Sequence, residues 1–192
     1  MEDFKNYLNL LSPISNHSWE ALKAFFKESE LKKGEYFIHE GEIEYEFGFL
    51  AEGIMRAFYT NNEGKEYNKK FFTFPSIVGS YSSLITNKPS LFSQQALTRC
   101  RLFTANYTSL VNLYDSYPDL ERWARMYAER YFVENEKKEV EIVLLEASER
   151  YLNFRANYPG LENKISQFHI ASYLGISPTH LSRIRKEYYR RS

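Results

Sequence analysis

QFHIASYLGISPTHLSRIRK, residues 167–186, sets its apolar side chains where two short helices would lock together at a steep angle. Ile170, Leu174, Ile176, Leu181 and Ile184 supply the contacts, and Ala171 is small where the helices cross. Gly175 falls in the turn, where a backbone with positive φ carries no Cβ penalty. Ser177 is placed to accept an orphan amide and Pro178 to open the second helix, since proline gives up a donor that would be unpaired there. The spacing predicts a helix-turn-helix whose second helix runs from Pro178 to about Tyr188.

Helices of this kind enter the major groove with their first turns against base edges. Thr179, His180, Ser182 and Arg183 lie off the Leu181/Ile184 stripe, and an arginine there can bond a guanine edge with two parallel hydrogen bonds. Arg185, Lys186, Arg190 and Arg191 follow as candidate phosphate contacts. From Lys164 to Ser192 there are six Lys/Arg and one acid, Glu187, hence +6 − 1 = +5; the whole chain is formally neutral, so residues 1–163 carry −5. That asymmetry suits a DNA-reading tail on a body that does not bind DNA. The bland reading is a solvated hairpin whose basic end aids solubility. Double-stranded DNA is the first candidate partner.

Composition frames the rest. At 192 residues the chain has room for one large domain and a small one. A hydrophobic content of 43 %, with 16 Tyr and 15 Phe, supplies a core and favours strands. The single cysteine, Cys100, excludes an internal disulfide and any cysteine-only cluster within one subunit; it is expected as a small buried core residue. No stretch of about 18 apolar residues occurs, and MEDFKNYLNLL lacks the basic start and cleavage site of a signal peptide. A cytoplasmic protein with no membrane partner is expected.

Phe4, Tyr7, Leu8 and Leu11 mark a first helix, broken at Ser12-Pro13; a second is expected over Ser18–Lys27, burying Trp19, Leu22 and Phe25/Phe26. Between Leu31 and Thr108, short aromatic and β-branched runs punctuated by glycines suggest an antiparallel sandwich or barrel. Asn61 to Gly64 reads as a hairpin tip between Gly53–Tyr59 and Tyr67–Phe74. From Pro118 the period becomes helical: Leu120, Ala124, Tyr127, Tyr131, Ile142 and Leu145 recur, interrupted by the charged run Glu134–Glu139. A helix from about Asp119 to Leu145 would be about 40 Å long at about 1.5 Å per residue. Such a helix pairs readily with a copy of itself; the alternative is packing on its own barrel alone. A connecting helix, Ser148–Asn157, and the turn Tyr158-Pro159-Gly160 complete the chain.

This order resembles the cyclic-AMP receptor/fumarate-nitrate regulator (Crp/Fnr) family of bacterial transcription regulators along nearly the whole chain. In the front half the likeness rests on LKKGEYFIHEGE (Leu31–Glu42) and FGFLAEGIMRAFY (Phe47–Tyr59), similar to the family's strand-turn and hairpin. In the back half ISQFHIASYLGISPTHLSRIRK (Ile165–Lys186) is similar to the family signature I-A-x-x-L-G-x-S-x-x-T-x-S-R. The resemblance implies an α+β fold: a cyclic-nucleotide-binding-like β jelly-roll barrel with flanking helices over 1–117, a long dimerisation helix over 118–146, and a helix-turn-helix DNA-binding domain over 147–192. It implies backbone contacts near Ser166 and Gln167, base-facing roles for Thr179, Ser182 and Arg183, and Ser177 and His180 within the DNA-facing set. The partners implied are DNA, a second copy of the chain, RNA polymerase and a small-molecule effector.

Two departures follow. In the family's phosphate-binding cassette a glutamate holds a ribose hydroxyl and an arginine a cyclic phosphate. Here the corresponding stretches are Ile77–Ser83 and Ser93–Ala96, so Ser80 stands for the glutamate and Gln94 for the arginine. Loss of the cation removes a charge-assisted contact worth about 1.5 to 3 kcal/mol. No cofactor is therefore assigned; the pocket holds another small molecule, lined by Gly79, Ser80, Ser82, Ser83, Gln94 and Gln95, or is filled by side chains. The family also continues into a β-hairpin wing, for which Glu187–Ser192 are too few.

His17, His39, His169 and His180 are scattered without metal-ligand spacing, and no serine sits in a nucleophile elbow, so neither a metal site nor an enzyme is expected. An alternative class remains: a cyclic-nucleotide or small-molecule sensor, or a protein-interaction module, whose helix-turn-helix packs on a partner. Salt-dependent, sequence-selective DNA binding separates the two.

Overall fold

The fold begins with two helices that use their aromatic faces to close one side of a sheet. α1 (Glu2–Leu11) buries Phe4 and Leu8, and α2 (Asn16–Lys23) buries Trp19 and Leu22. α2 starts at Asn16 rather than Ser18, because Ser15 Oγ caps it by accepting the Ser18 amide at 3.0 Å. It stops at Lys23 because Lys27 already pairs with Thr104, which leaves Phe25 exposed rather than buried. In the computed structural model the backbone is described to Arg191; the Arg191 side chain, an expected phosphate contact, and Ser192 lie outside the described residues.

Eight strands follow in two four-stranded sheets. The first, in the order β1-β8-β3-β6, comprises β1 (Lys27–Leu31), β3 (Glu46–Glu52), β6 (Ser76–Val78) and β8 (Cys100–Asn106). The second, β2-β7-β4-β5, comprises β2 (Tyr36–Ile38), β4 (Ile54–Thr60), β5 (Glu66–Thr73) and β7 (Ser93–Ala96). The pairings β1–β8, β3–β8, β3–β6 and β2–β7 are antiparallel, as in a jelly roll. Alternation along β3 serves two cores at once. Leu50 points into the barrel with Met55, Phe72, Phe92 and Leu102, whereas Phe49 meets α1, stacked on Phe4 at 4.4 Å. Gly53 turns β3 into β4 at φ 101°; a Cβ there would lie 2.5 Å from the Arg99 carbonyl. His39 lies just past β2, exposed, its ring stacked on Tyr36. Cys100 is fully buried in the barrel core, as expected, and burial pushes its thiol up.

The short helices α3 (Tyr81–Thr86) and α4 (Tyr107–Val111) interrupt the strands, and α5 runs over Pro118–Leu144, within one residue of the expected Asp119–Leu145 at each end. Asp119, in its first turn, accepts the Ser15 amide at 2.7 Å and the Ser18 hydroxyl at 2.6 Å, tying α2 to α5. α6 (Ala147–Asn157), a 3-10 turn (Leu161–Asn163), α7 (Gln167–Leu174) and α8 (Pro178–Arg191) follow. Two compact units result: Met1–Ala57 with Phe71–Phe132, and Phe58–Lys70 with the chain from Val133 on. The tip of the β4–β5 hairpin thus groups with the C-terminal helices. No helix among the described residues is long and apolar enough to cross a membrane.

Candidate nucleic-acid interface

α7 and α8 form the helix-turn-helix from the local signals in the sequence. Ser166 Oγ accepts the Phe168 amide at 3.2 Å to cap α7, and Gly175 closes it at φ 68°. Ile176 N then reaches back to the Ala171 carbonyl at 3.0 Å, as a left-handed helix end requires. Ser177 Oγ caps α8 by accepting the His180 amide at 3.1 Å. Ile170, Ala171, Leu174, Leu181 and Ile184 are buried between the helices, with Ile176 half-buried. α8 continues past the expected Tyr188 to Arg191.

The buried stripe leaves one face of α8 in solvent. Thr179, His180, Ser182, Arg183, Lys186 and Arg190 are all exposed, as are Ser166 and Ser177; Gln167 is half-buried. Arg185 differs. It turns back toward Glu162, its Nε 3.8 Å from Oε2 and buried without a hydrogen-bond partner.

Glu162 is a residue that the sequence reading passed over. It is only 6 % exposed, yet its carboxylate gathers four groups. Tyr151 Oη donates to Oε2 at 2.5 Å, Tyr189 Oη to Oε1 at 3.1 Å, and Arg155 Nε lies 3.0 Å from Oε1, with Arg185 as the fourth. Burial alone would raise its pKa, but the two hydroxyls and two guanidiniums outweigh it and hold the carboxyl below the usual carboxylate range. Two helical pairs, Tyr151/Arg155 and Arg185/Tyr189, each spaced four apart, were the signal in the sequence for a shared buried acid.

α7 is held from its other side by the hairpin tip. Ser172 Oγ accepts the Asn68 amide at 3.0 Å and donates to the Glu66 carbonyl at 2.7 Å, while Asn68 Nδ2 donates to the His169 carbonyl at 2.9 Å. Lys138 of α5 donates to the Lys69 carbonyl and lies 4.0 Å from the Tyr173 ring centre. Burial, then the charges of Lys69 and Lys70, push the Lys138 ammonium down to about 7. Arg150 of α6 bridges the carbonyls of Leu145 and Leu174, closing the ends of α5 and α7.

Along α5 the apolar residues divide. Leu120 is buried in the cluster built on Phe4, Trp19 and Phe49, and Trp123 Nε1 donates to the Leu8 carbonyl at 2.8 Å. Ala124, Tyr127 and Tyr131 are half-buried, with Tyr127 stacked on Trp123 and Tyr131 edge-on to Tyr81. Further along, Phe132, Val140, Ile142, Val143 and Leu144 are exposed, Val143 to 79 %; Leu145 is half-buried. The exposed apolar residues therefore extend beyond those the period singled out.

In the barrel, the residues expected to line a pocket bond to one another. Gln94, fully buried, accepts the Gly79 amide at 3.1 Å and donates to the Gly79 carbonyl at 3.0 Å. Ser80 Oγ is 2.8 Å from Ser90 Oγ, itself 2.7 Å from the Phe92 carbonyl. Ser83 Oγ accepts the Glu44 amide and donates to the Lys88 carbonyl. Gln95 accepts Arg56 Nε and Nη2 at 3.0 and 2.7 Å and donates to the Gly34 carbonyl. Ser82 is exposed. Among the described residues no group of three or more His, Cys, Asp or Glu could hold a metal ion.

Residues 28–117 match the cyclic nucleotide-binding domain. No curated protein sequence matches the chain. Solved structures share its fold at low identity. The c-di-GMP responsive global regulator CLP of Xanthomonas campestris is 14 % identical, with 92 % of each chain covered and a TM-score of 0.72. FixK2 of Bradyrhizobium japonicum is 16 % identical, with 86 % of this chain and 85 % of its own covered and a TM-score of 0.74. Catabolite activator protein of Thermus thermophilus is 18 % identical, with 95 % and 87 % covered and a TM-score of 0.61. Residues 28–117 are thus similar to a cyclic nucleotide-binding domain, and the chain shares the fold of the Crp/Fnr transcription regulators.

Proposed function

We propose that the chain is a cytoplasmic, non-enzymatic transcription regulator that binds an inverted-repeat DNA site as a homodimer. The observation that carries this is the solvent face of α8, where Thr179, His180, Ser182, Arg183, Lys186 and Arg190 stand clear of the packing that fixes the helix. Arg183 reads a guanine edge, Lys186 and Arg190 take phosphates, and the caps at Ser166 and Ser177 leave backbone amides toward the phosphate backbone. The exposed apolar residues of α5 supply the surface for the second copy, which sets the two α8 helices about 34 Å apart on one face of the duplex. RNA polymerase is the further macromolecular partner of such a regulator.

In the Crp/Fnr family that the sequence resembles, a cassette glutamate and arginine hold the cyclic nucleotide. The two corresponding positions here lack those charged groups: Ser80 and Gln94 are buried and hydrogen-bonded within the barrel, and neither carries a charge. Either the barrel is filled by its own side chains, or it takes another small molecule, which would act by binding two arrangements of the helices with different affinity.

Fluorescence-anisotropy titration of a selected duplex and a scrambled one tests the DNA reading. Arg183→Ala is expected to weaken the selected duplex by about 1 to 3 kcal/mol and to leave the scrambled one little changed. Equal losses on both would contradict the base-reading role.

A further inference from the structure

We infer that Glu162 is a specificity-determining positioning residue: its buried carboxylate fixes the rotation of α8 about its own axis and holds Arg185 away from phosphates. The inference rests on α8 being the DNA-reading helix. At about 100° per residue, Arg185 and Tyr189 fall on one stripe of α8, beside the core residues Leu181 and Ile184. Thr179, Arg183, Lys186 and Arg190 fall roughly opposite Leu181 and Ile184, and so flank the Arg185/Tyr189 stripe on its solvent side. Whatever holds the Arg185/Tyr189 stripe against the body of the unit therefore decides which residues meet a base edge.

Apolar burial of Leu181 and Ile184 is non-directional and so restrains that rotation less sharply than hydrogen bonds do. A buried carboxylate demands its partners at hydrogen-bond distance. Glu162 takes two from α6, Tyr151 and Arg155, and two from α8, Tyr189 and Arg185. Tyr188 adds its ring under Arg155, 4.3 Å from the guanidinium. The four contacts are unequal. Tyr151, Tyr189 and Arg155 lie within hydrogen-bond reach, whereas Arg185 Nε stands at 3.8 Å without a hydrogen bond and is held by charge. Neutralising Glu162 removes what keeps Arg185 on the inner side. Its side chain, 25 % exposed, is then available to a phosphate. Removing the charge should thus lower selectivity while raising indiscriminate affinity.

The test uses the full chain, with the selected and the scrambled duplex each titrated at a series of salt concentrations. Glu162→Gln is expected to weaken the selected duplex at least tenfold. The scrambled duplex is expected to bind as well or better, with a salt slope steeper by up to about 0.9, the increment for one added phosphate contact. Tyr189→Phe, which removes one hydroxyl from a ring already half in solvent, should lower selectivity in the same direction by a smaller factor. Equal losses on both duplexes would make Glu162 a stabiliser of the fold only, and an unchanged ratio would deny it any role; either overturns the inference. If Glu162→Gln does not fold, the ratio for Tyr189→Phe decides. A wild-type chain that prefers no duplex would sink the DNA-reading function and this inference with it. A selective wild type with an equally selective variant would sink the inference alone.

Discussion

Ser172 serves Asn68 as a strand partner would. β5 stands last in its sheet, and the Ser172 hydroxyl accepts the Asn68 amide at 3.0 Å while donating to the Glu66 carbonyl at 2.7 Å. A side chain of the helix-turn-helix thereby completes the outer edge of a strand 104 residues away. Ser172→Ala removes both of these bonds at once, and we expect a loss of about 2 kcal/mol in denaturant unfolding. Asn68→Ala, which removes the bond to the His169 carbonyl, should cost about 1 kcal/mol. Unfolding curves that overlay the unmodified chain would mean the clip does not form in solution.

The paired hydrogen bonds between Gln94 and Gly79 lead to a prediction about ligands. Cyclic AMP and cyclic GMP at millimolar concentration are expected to leave the melting temperature unchanged, since a ligand that bound the folded form would raise it logarithmically with concentration. A rise of several degrees would show that the barrel accepts a cyclic nucleotide with Ser80 and Gln94 at the cassette positions.

Glu44 makes the barrel pH-sensitive. Burial pushes its carboxyl up to about 7 from 4.5, aided by the charges of Glu46 and Glu42 and opposed by the amides of Glu46 and Tyr45; Oε2 is buried without a hydrogen bond. The folded state holds this proton more tightly than the unfolded chain. The resulting stability is fully present below about 4.5 and is lost as pH rises through about 7. Glu44→Gln should therefore raise stability at pH 8, by no more than about 2 to 3 kcal/mol, and change it little at pH 4. Equal effects at both pH values would deny the buried acid its role.

Val143 is 79 % exposed on α5, beside Ile142 and Leu144. If this face meets a second copy, Val143→Glu places two like charges in an apolar interface. Sedimentation should then show a monomer, and affinity for the inverted repeat should fall at least tenfold, because two half-sites are no longer bound together. A dimer that persists would move the pairing surface elsewhere.

The helix-turn-helix was legible because its requirements are local: a glycine where φ is positive, a serine at the cap, apolar residues at fixed steps. Gly175, Ser177 and Leu181 each meet one of these, and α7 ends and α8 starts where they indicate. α5 was legible from period alone. What escaped was long-range or compensated. Asn68 gives no sign within its own strand that it faces Ser172, and Glu162 reads as an ordinary surface acid until four partners from two helices converge on it. Leu120 fits the apolar period of α5, yet it is buried on Phe4 and Trp19, because period identifies a face without saying what covers it. The cassette residues were placed by resemblance, but only their contacts reveal that Gln94 is bonded at both ends of its amide.

Selection of bound sequences from a random duplex pool, at two salt concentrations with the purified protein, tests whether α8 reads DNA sequence. Enrichment of an inverted repeat whose half-sites lie about 10 base pairs apart, retained at the higher salt, is expected. Binding without sequence enrichment, vanishing as salt rises and unchanged by added small-molecule effectors, would contradict it.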